Sequence, residues 1–328
     1  MKKVGWSSIL VATLVLVFGV AADAQQPKKV PRIGVLVPTT PVASSQRIEA
    51  FRRGLRELGY ADGININIVY RYADGKTDRL PAIAAELVGL KVDIILAANN
   101  NVARSVSALT KTTPIVLLSG SDPIVGGLVA SLAQPGGNIT GLTNLTFDLG
   151  PKRLELLKDI VPKLTRIAVL PSPGGIGQDL KELQAVAPAL QLQLHIMEVH
   201  ISDDLESAFT RALSARAGAL IVTSDPTGIF LNNAQQIINQ AAKNRLPAIY
   251  PGSRYVELGG LSSYATNELE NYRRASTYVD KILKGAKPAD LPVEQPKKFE
   301  FIINLKTAKQ IGLTIPPNVL VRADKVIK

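Results

Sequence analysis

The sequence predicts an α/β protein with two doubly wound parallel-sheet lobes, a hinge and a central cleft between the lobes. Short, β-branched apolar runs alternate with amphipathic helical patterns, as expected for strands that are buried on both faces of parallel sheets. A loop-rich passage at 133–153 interrupts this alternation, which then starts again. In each half the tripeptide Ser-Asp-Pro ends an apolar run, at 121–123 and at 224–226. Two similar units with polar strand tips at matching places predict a clamshell.

The first half starts with a buried strand at 32–38, RIGVLVP. A helix over 45–58 follows, because Ile48, Phe51 and Leu55 share one helical stripe and Gly59 is placed to end it. By the same patterns we expect strands at 66–73, 92–98 and 114–120, and helices at 77–91 and 99–111.

The second half repeats this order and ends with a long connection. We expect helices at 152–160, 179–190, 203–215 and 234–244, and strands at 166–172, 192–199, 219–224 and 246–251. A strand at 259–265, a helix at 269–284 and a proline-rich connection at 285–298 come next, before one more strand and helix. Connections rich in proline and glycine near 143–150, 257–262 and 286–296 are the expected hinge segments, where backbone rotation is absorbed.

The N-terminus has the pattern of a secretory signal. Lys2 and Lys3 precede an uncharged apolar run at 9–20, and small residues surround a cleavage site after Ala24. An uncleaved anchor is the alternative, but the apolar run is short for a membrane span. The chain has no cysteine, so a lipid-modified cysteine and disulfides are both excluded. We therefore expect a signal peptide at 1–24 and a mature protein in the periplasm.

Composition bounds the class of protein. A chain of 328 residues that is 46% hydrophobic and 20% charged suits an ordered protein of about two domains. The formal charge is +11, or +10 without residues 1–24, and the cations are scattered along helices among glutamates. Because no basic stripe with interleaved aromatic residues occurs, the charge predicts a solvated basic surface rather than a nucleic-acid partner.

Signatures of catalysis and of cofactor binding are missing. No G-x-G-x-x-G follows the first strand, and the glycine-rich stretch 171–178 lacks the Lys-Ser/Thr of a phosphate loop. His195 and His200 are five residues apart on or beside one strand, which places them on opposite faces. Asp122 and Asp225 could in principle form an acid/base pair, but nothing else supports turnover. We expect no enzymatic activity, no cofactor and no metal.

Small hydrogen-bonding groups instead follow the predicted strands, where open α/β sheets place their ligand sites. Each also has a structural explanation: the hydroxyls, amides and carboxylates can cap turns, and the tyrosines can pack in the core. The candidate ligand-binding residues are Thr39, Thr40, Asn99, Asn100, Ser121, Asp122, Ser172, Asp225, Tyr250 and Tyr264.

Two long blocks carry a family resemblance, SDPIVGGLVASLAQPGGNITGLT at 121–143 and KFEFIINLKTAKQIGLTIPP at 298–317. Together with shorter stretches from about residue 30 to 327, they resemble a family of substrate-binding proteins of bacterial ABC transporters. The resemblance implies the type I periplasmic-binding fold, a small-molecule ligand in the cleft, hinge closure, and docking on a membrane permease. We expect the protein to be a monomer. The resemblance also implies that 30–145 and 260–290 form the first lobe, and 146–259 and 295–328 the second.

Three functions fit this sequence. The first is an exported receptor that delivers a small polar molecule to an ABC importer; the alternatives are an exported sensor subunit and an enzyme on the same scaffold. The ligand class that the residues favour is an amino acid or a similar zwitterion. A carboxylate in each half can hold an ammonium, while hydroxyl and amide tips with their backbone N–H groups can hold a carboxylate. The mature chain has no tryptophan, which disfavours a sugar.

Overall fold

The structure is a computed structural model, which describes residues 29–144, 149–172 and 178–328. The expected signal peptide at 1–24 lies outside the described residues, as does part of the glycine-rich stretch at 171–178.

The first lobe is built on a parallel sheet with the strand order β2-β1-β3-β4-β5. Its helices connect successive strands. The first helix begins at Pro41, and the Thr40 side chain before it accepts a hydrogen bond from the Ala43 N–H. The strand β5 falls in the passage that the sequence predicted as loop; its residues are all buried and pair with β4. The elements are β1 (Arg32–Val37), α1 (Pro41–Glu57), β2 (Asn67–Tyr72), α2 (Leu80–Gly89), β3 (Ile94–Ala97), α3 (Asn100–Ser107), β4 (Ile115–Gly120) and β5 (Ile139–Thr143).

The second lobe is built on a sheet with the order β12-β11-β10-β9-β8-β6-β7. Short helices after β8 and β9, and the final strand, add to the elements that periodicity predicted. The elements from residue 149 onward are α4 (Gly150–Ile160), β6 (Arg166–Leu170), α5 (Gln178–Val186), β7 (Gln193–Ile196), α6 (Asp204–Ser214), β8 (Ala219–Val222), α7 (Ile229–Asn232), α8 (Ala234–Lys243), β9 (Ala248–Tyr250), α9 (Ser253–Glu257), β10 (Ser262–Thr266), α10 (Glu268–Leu283), β11 (Phe299–Asn304), α11 (Leu305–Gln310), α12 (Pro317–Leu320) and β12 (Lys325–Ile327).

The strand β10 corrects the expected lobe division. It was expected in the first lobe with the helix that follows, but it pairs with β9 and β11 in the second sheet. The return to the first lobe begins with α10, whose Tyr272 and Val279 join the apolar layer of Ile33 and Phe51. The second crossing therefore lies at Asn267, between β10 and α10, and not at 257–262.

The other two crossings follow from the strand pairing. The first crossing lies between β5 and α4. After α10 it pairs once more with β5, through a bridge between Leu142 and Glu294, and then enters the second sheet as β11. Because β10 ends at the hinge and β11 begins there, these two strands are antiparallel in an otherwise parallel sheet.

Apolar layers cover both faces of both sheets. Side chains of β3, β4 and β8 are buried along the whole strand, as expected for strands between two helical layers. The buried apolar side chains form four separate clusters, two in each lobe, with one cluster on each face of a sheet. In the part of the chain that the structure describes, no helix has the length and apolar character needed to cross a membrane.

Candidate functional site

A cleft of about 840 Å³ lies between the lobes, at the carboxyl ends of the parallel strands. This volume is within the range of small-molecule sites, and the position is the one that open α/β sheets use for ligands. The first lobe contributes the segments after β1, β3 and β4, and the second lobe those after β8 and β9. Residues beside the chain crossings, Thr143, Asn144, Thr266, Glu268 and Gln295, close the hinge end.

The predicted amide tips of the first lobe line the cleft. Asn99 caps α3, because its Oδ1 accepts a hydrogen bond from the Val102 N–H at 3.1 Å. Asn100 Nδ2 donates to Ser121 Oγ at 3.0 Å and to the Asp122 carbonyl at 3.1 Å. Gly120 leaves room for this side chain, since a Cβ there would lie 2.7 Å from Asn100 Oδ1. The tips after β3 and β4 thus form one hydrogen-bonded surface.

Both predicted aspartates line the cleft and also cap their own turns. Asp122 Oδ1 accepts the backbone N–H groups of Ile124 and Val125 at 2.9 and 3.0 Å. Asp225 accepts hydrogen bonds from the Thr227 N–H and hydroxyl on Oδ1, and from the Phe230 N–H on Oδ2. Burial raises the pKa of Asp225 although these hydrogen bonds oppose the shift. The capping interpretation of both residues therefore has direct contacts in its favour.

The two predicted tyrosines do not line the cleft. Tyr250 is 1% exposed and lies in the core, because as the last residue of β9 it points into the layer beneath α8. Tyr264 on β10 packs against Phe299 at a ring distance of 6.0 Å. The tyrosine at the cleft wall is Tyr255, which stacks on Tyr250 with ring centroids 5.0 Å apart. The prediction that Tyr250 and Tyr264 flank a ligand is thus replaced by Tyr255 with Tyr250 behind it.

The remaining predicted residues divide between the cleft and the turns. Thr39 lines the cleft and is 3% exposed, whereas Thr40 is the cap of α1 and lies outside the lining. Ser172 also lies outside the lining; its N–H donates to Thr223 Oγ1 at 2.9 Å at the carboxyl end of β6. Thr40 and Ser172 therefore have the turn and cap roles that were the alternatives for them.

Sequence reasoning missed the main ion pair of the cleft. Arg47 Nη1 donates to Glu268 Oε2 at 3.3 Å, and both residues line the cleft. Arg47 lies in the second turn of α1 and Glu268 is the first residue of α10, so the pair joins two helices that are distant in sequence. Burial lowers the pKa of Arg47, but Tyr272 and Glu268 outweigh this effect and the pKa is raised. The only sequence signal for these two residues was their position, since Arg47 lies in the helix that follows β1 and Glu268 begins the helix that follows β10.

Unpaired polar atoms concentrate on the cleft-lining residues. Within the described ranges, six buried side-chain polar atoms without a hydrogen-bond partner belong to this lining. Arg47 Nη2 can only donate and Asn100 Oδ1 can only accept, whereas the four hydroxyls can do both. Buried polar atoms are normally paired, so partners are expected from a bound molecule or from water. The four hydroxyls are those of Thr39, Ser119, Thr143 and Ser224.

The lobes touch along one rim of the cleft. Asn99 Nδ2 donates to the Pro226 carbonyl at 2.8 Å, and Asn232 Oδ1 accepts the Thr40 N–H at 3.0 Å. Between these bonds Gly228 packs so closely on the first lobe that a Cβ would lie 2.8 Å from Thr39 Cγ2. We call these contacts of Asn99, Asn232 and Gly228 the rim latch. The structure therefore has its lobes in contact around a cleft.

The comparisons with known proteins agree with one another. The family described as ABC transporter substrate binding protein matches residues 32–327. A tyrosine-binding protein of Clostridioides difficile is 28% identical over 288 residues, which cover 87% of this chain and 82% of that protein. A crystal structure of a conserved domain protein from Vibrio cholerae has a TM-score of 0.82 and 28% identity, covering 91% of this chain and 100% of the other. An ABC domain from Streptococcus pneumoniae in complex with L-Trp has a TM-score of 0.78 and 26% identity, with 90% and 100% covered.

Proposed function

Because this chain belongs to the family of ABC transporter substrate-binding proteins, we propose that it is an exported receptor that captures an amino acid in its interlobe cleft and delivers it to an importer. Members of this family bind small molecules and work with the permeases of ABC transporters. The two-lobed architecture is that of the type I periplasmic-binding fold. The ligand that we propose is an α-amino acid, and the cleft favours one with an aromatic side chain.

One observation carries this proposal: the unpaired polar atoms of the cleft wall include a cationic donor and an amide acceptor. A guanidinium N–H without an acceptor, at Arg47, favours a ligand with a carboxylate. An amide oxygen without a donor, at Asn100, favours a ligand with N–H groups. An amino acid supplies a carboxylate and N–H groups in one small molecule, whereas the hydroxyls of a sugar can pair with both atoms but carry no charge to match the guanidinium.

The apolar part of the cleft supports an aromatic side chain. Tyr255, Leu231, Leu269 and Ile124 line the wall beside the polar atoms. Tyr255 is held by its stack on Tyr250, and such offset ring arrangements suit further aromatic contacts. The relatives named for tyrosine and crystallised with L-Trp support the same choice of ligand.

Export and the mode of action are part of the proposal. The signal pattern at 1–24 supports secretion into the periplasm with cleavage after Ala24, and the family supports action on a membrane permease, which we expect of a monomer. An exported sensor subunit remains the second candidate, since capture of a ligand in a closing cleft serves both roles. The two differ in the membrane partner that recognises the closed receptor.

The direct test identifies the ligand that the cell itself supplies. The protein is purified from its own periplasm without denaturation, the bound molecule is released by heat or acid, and it is identified by mass spectrometry. We expect an α-amino acid at a stoichiometry near one per chain. Release of a sugar or a nucleoside instead, at similar stoichiometry, would refute the ligand class.

A further inference from the structure

The ion pair of Arg47 and Glu268 leaves a buried nitrogen of Arg47 without a hydrogen-bond partner. A guanidinium has five N–H donors, and the hydrogen bond from Arg47 Nη1 to Glu268 Oε2 at 3.3 Å uses one of them. Arg47 Nη2 is buried without a partner, and the whole side chain is only 16% exposed. The Glu268 side chain is 35% exposed. Arg47 can therefore donate further hydrogen bonds to a molecule in the cleft, and Glu268 can accept them.

The other charged residues of the lining have partners of their own, and in the described part of the chain none of their side-chain atoms is buried without a hydrogen bond. Asp122 and Asp225 accept the N–H groups of their own turns. Arg104 donates to the Gly126 carbonyl at 3.2 Å, and Arg254 pairs with a glutamate of its own helix at 3.6 Å. Among the ion pairs of the described residues, that of Arg47 and Glu268 is the one with both partners in the cleft wall.

We propose that Arg47 and Glu268 bind the head group of the ligand, with the ligand carboxylate on the Arg47 guanidinium and the ligand ammonium on the Glu268 carboxylate. This inference rests on the proposed function and assigns its specificity to two residues. An α-amino acid carries its two charges on neighbouring groups of one carbon, so it can lie beside the ion pair with the signs reversed. Each charge then has two opposite neighbours, and charge-assisted hydrogen bonds use the free donors of Arg47.

The position of the pair gives the head group a defined orientation. Glu268 begins α10 directly after a chain crossing, so the head group would lie at the hinge end of the cleft. Tyr255 of the opposite lobe lines the same cleft as Arg47 and Glu268. The ligand side chain would then extend along the cleft, past Tyr255 and away from the hinge. Head-group recognition would be separated from side-chain recognition.

The test compares head-group analogues with neutral variants. Calorimetry measures the affinity of wild type, Arg47→Gln and Glu268→Gln for L-tyrosine, for tyramine, which lacks the carboxylate, and for 3-(4-hydroxyphenyl)propionate, which lacks the ammonium. L-tryptophan, tryptamine and indole-3-propionate form a second set. The matched controls are Arg273→Gln and Glu270→Gln, an ion pair of α10 that does not line the cleft.

We expect the wild type to bind an amino acid at least tenfold better than either of its analogues. Arg47→Gln should lose about 10- to 100-fold in amino-acid affinity, as for the loss of hydrogen bonds to a charged group, and should no longer discriminate against the amine. Glu268→Gln should lose discrimination against the deaminated acid. The control variants should keep the wild-type affinities and preferences.

The outcomes separate the two proposals. If the wild type binds L-tyrosine or L-tryptophan and both variants keep the affinity and the preferences, the head-group assignment is wrong and the proposed function stands. If the wild type binds none of the six probes, an aromatic amino acid is refuted as the ligand and the assignment, which places the head group of such a ligand, fails with it. Should Arg47→Gln lower the melting temperature by leaving Glu268 uncompensated, the double variant R47Q/E268Q removes both charges. It too must lose the preference for the amino acid over both analogues, and retention of that preference overturns the assignment.

Discussion

Removal of the rim latch should open the cleft and weaken ligand binding without unfolding the protein. The latch contains two hydrogen bonds between the lobes, from Asn99 Nδ2 to the Pro226 carbonyl and from the Thr40 N–H to Asn232 Oδ1. Each neutral hydrogen bond contributes about 1 kcal/mol net. A receptor that binds its ligand in the closed state has an apparent affinity reduced by the fraction that is closed. Loss of both bonds should therefore shift the equilibrium between closed and open forms by roughly 30-fold, and loss of one by roughly fivefold, and these factors are the upper limits of the loss in affinity.

The chain offers matched variants for this test. Asn99→Asp keeps the oxygen that caps α3 but replaces the amide donor with a second oxygen that faces the Pro226 carbonyl. Asn232→Ala removes the acceptor of the Thr40 N–H, whereas Asn232→Asp retains an oxygen for it. We expect the order of affinities to be wild type, then N232D, then the single variants N99D and N232A, then N99D/N232A.

Two measurements test whether the rim latch favours the closed form. Calorimetry with L-tyrosine gives the affinities, and small-angle scattering gives the radius of gyration with and without ligand. The double variant should have a larger radius of gyration than the wild type in the absence of ligand, and the two should converge at saturation. Unchanged affinities together with identical scattering profiles would show that the rim contacts do not bias closure.

Three further predictions concern single residues. Asp122→Ala and Asp225→Ala should each lower the free energy of unfolding by about 1 kcal/mol, as lost caps do, and should leave the affinity for L-tyrosine near that of the wild type; a loss of affinity without a loss of stability would assign them to the ligand instead. Gly228→Ala should weaken binding, because its φ of +87° and its contact with the first lobe both exclude a Cβ, whereas the control Gly63→Ala has a similar φ of +81° in open space and should cost stability alone; equal affinities of the two variants would contradict this. Burial raises the pKa of Asp179 to about 7, with the Ser224 N–H and Arg153 opposing the shift, so its stabilising contribution is complete below its ordinary pKa of 3.8 and is lost as the pH rises to about 7. The melting temperature of Asp179→Asn should consequently fall less between pH 4 and pH 7 than that of the wild type, and parallel curves would contradict the shift.

The strand tips of the site could be predicted from sequence because strand direction fixes them. Each buried apolar run ends at a definite residue, and parallel strands bring those ends to one edge. The structure accordingly places Thr39, Asn99, Asn100 and Ser121 in the cleft wall. Tyr250 was misplaced because it is the last residue inside its strand rather than the first beyond it, so its ring lies in the core.

Arg47 and Glu268 could not be predicted in the same way. Both lie on helices, where the face that meets the cleft depends on how α1 packs against α10. That contact joins residues more than 200 positions apart, and no local period encodes it. The sheet of β10 was missed for a similar reason. Its pattern predicts a strand, but its partners are set by where the chain crosses the hinge.

Calorimetric titration with the twenty amino acids tests whether the cleft binds an amino acid. We expect saturable binding of at least one of them, with a stoichiometry near one and with aromatic amino acids among the tightest. Heat from none of the twenty, together with clear binding of a sugar or a nucleoside, would show that the cleft is not an amino-acid site.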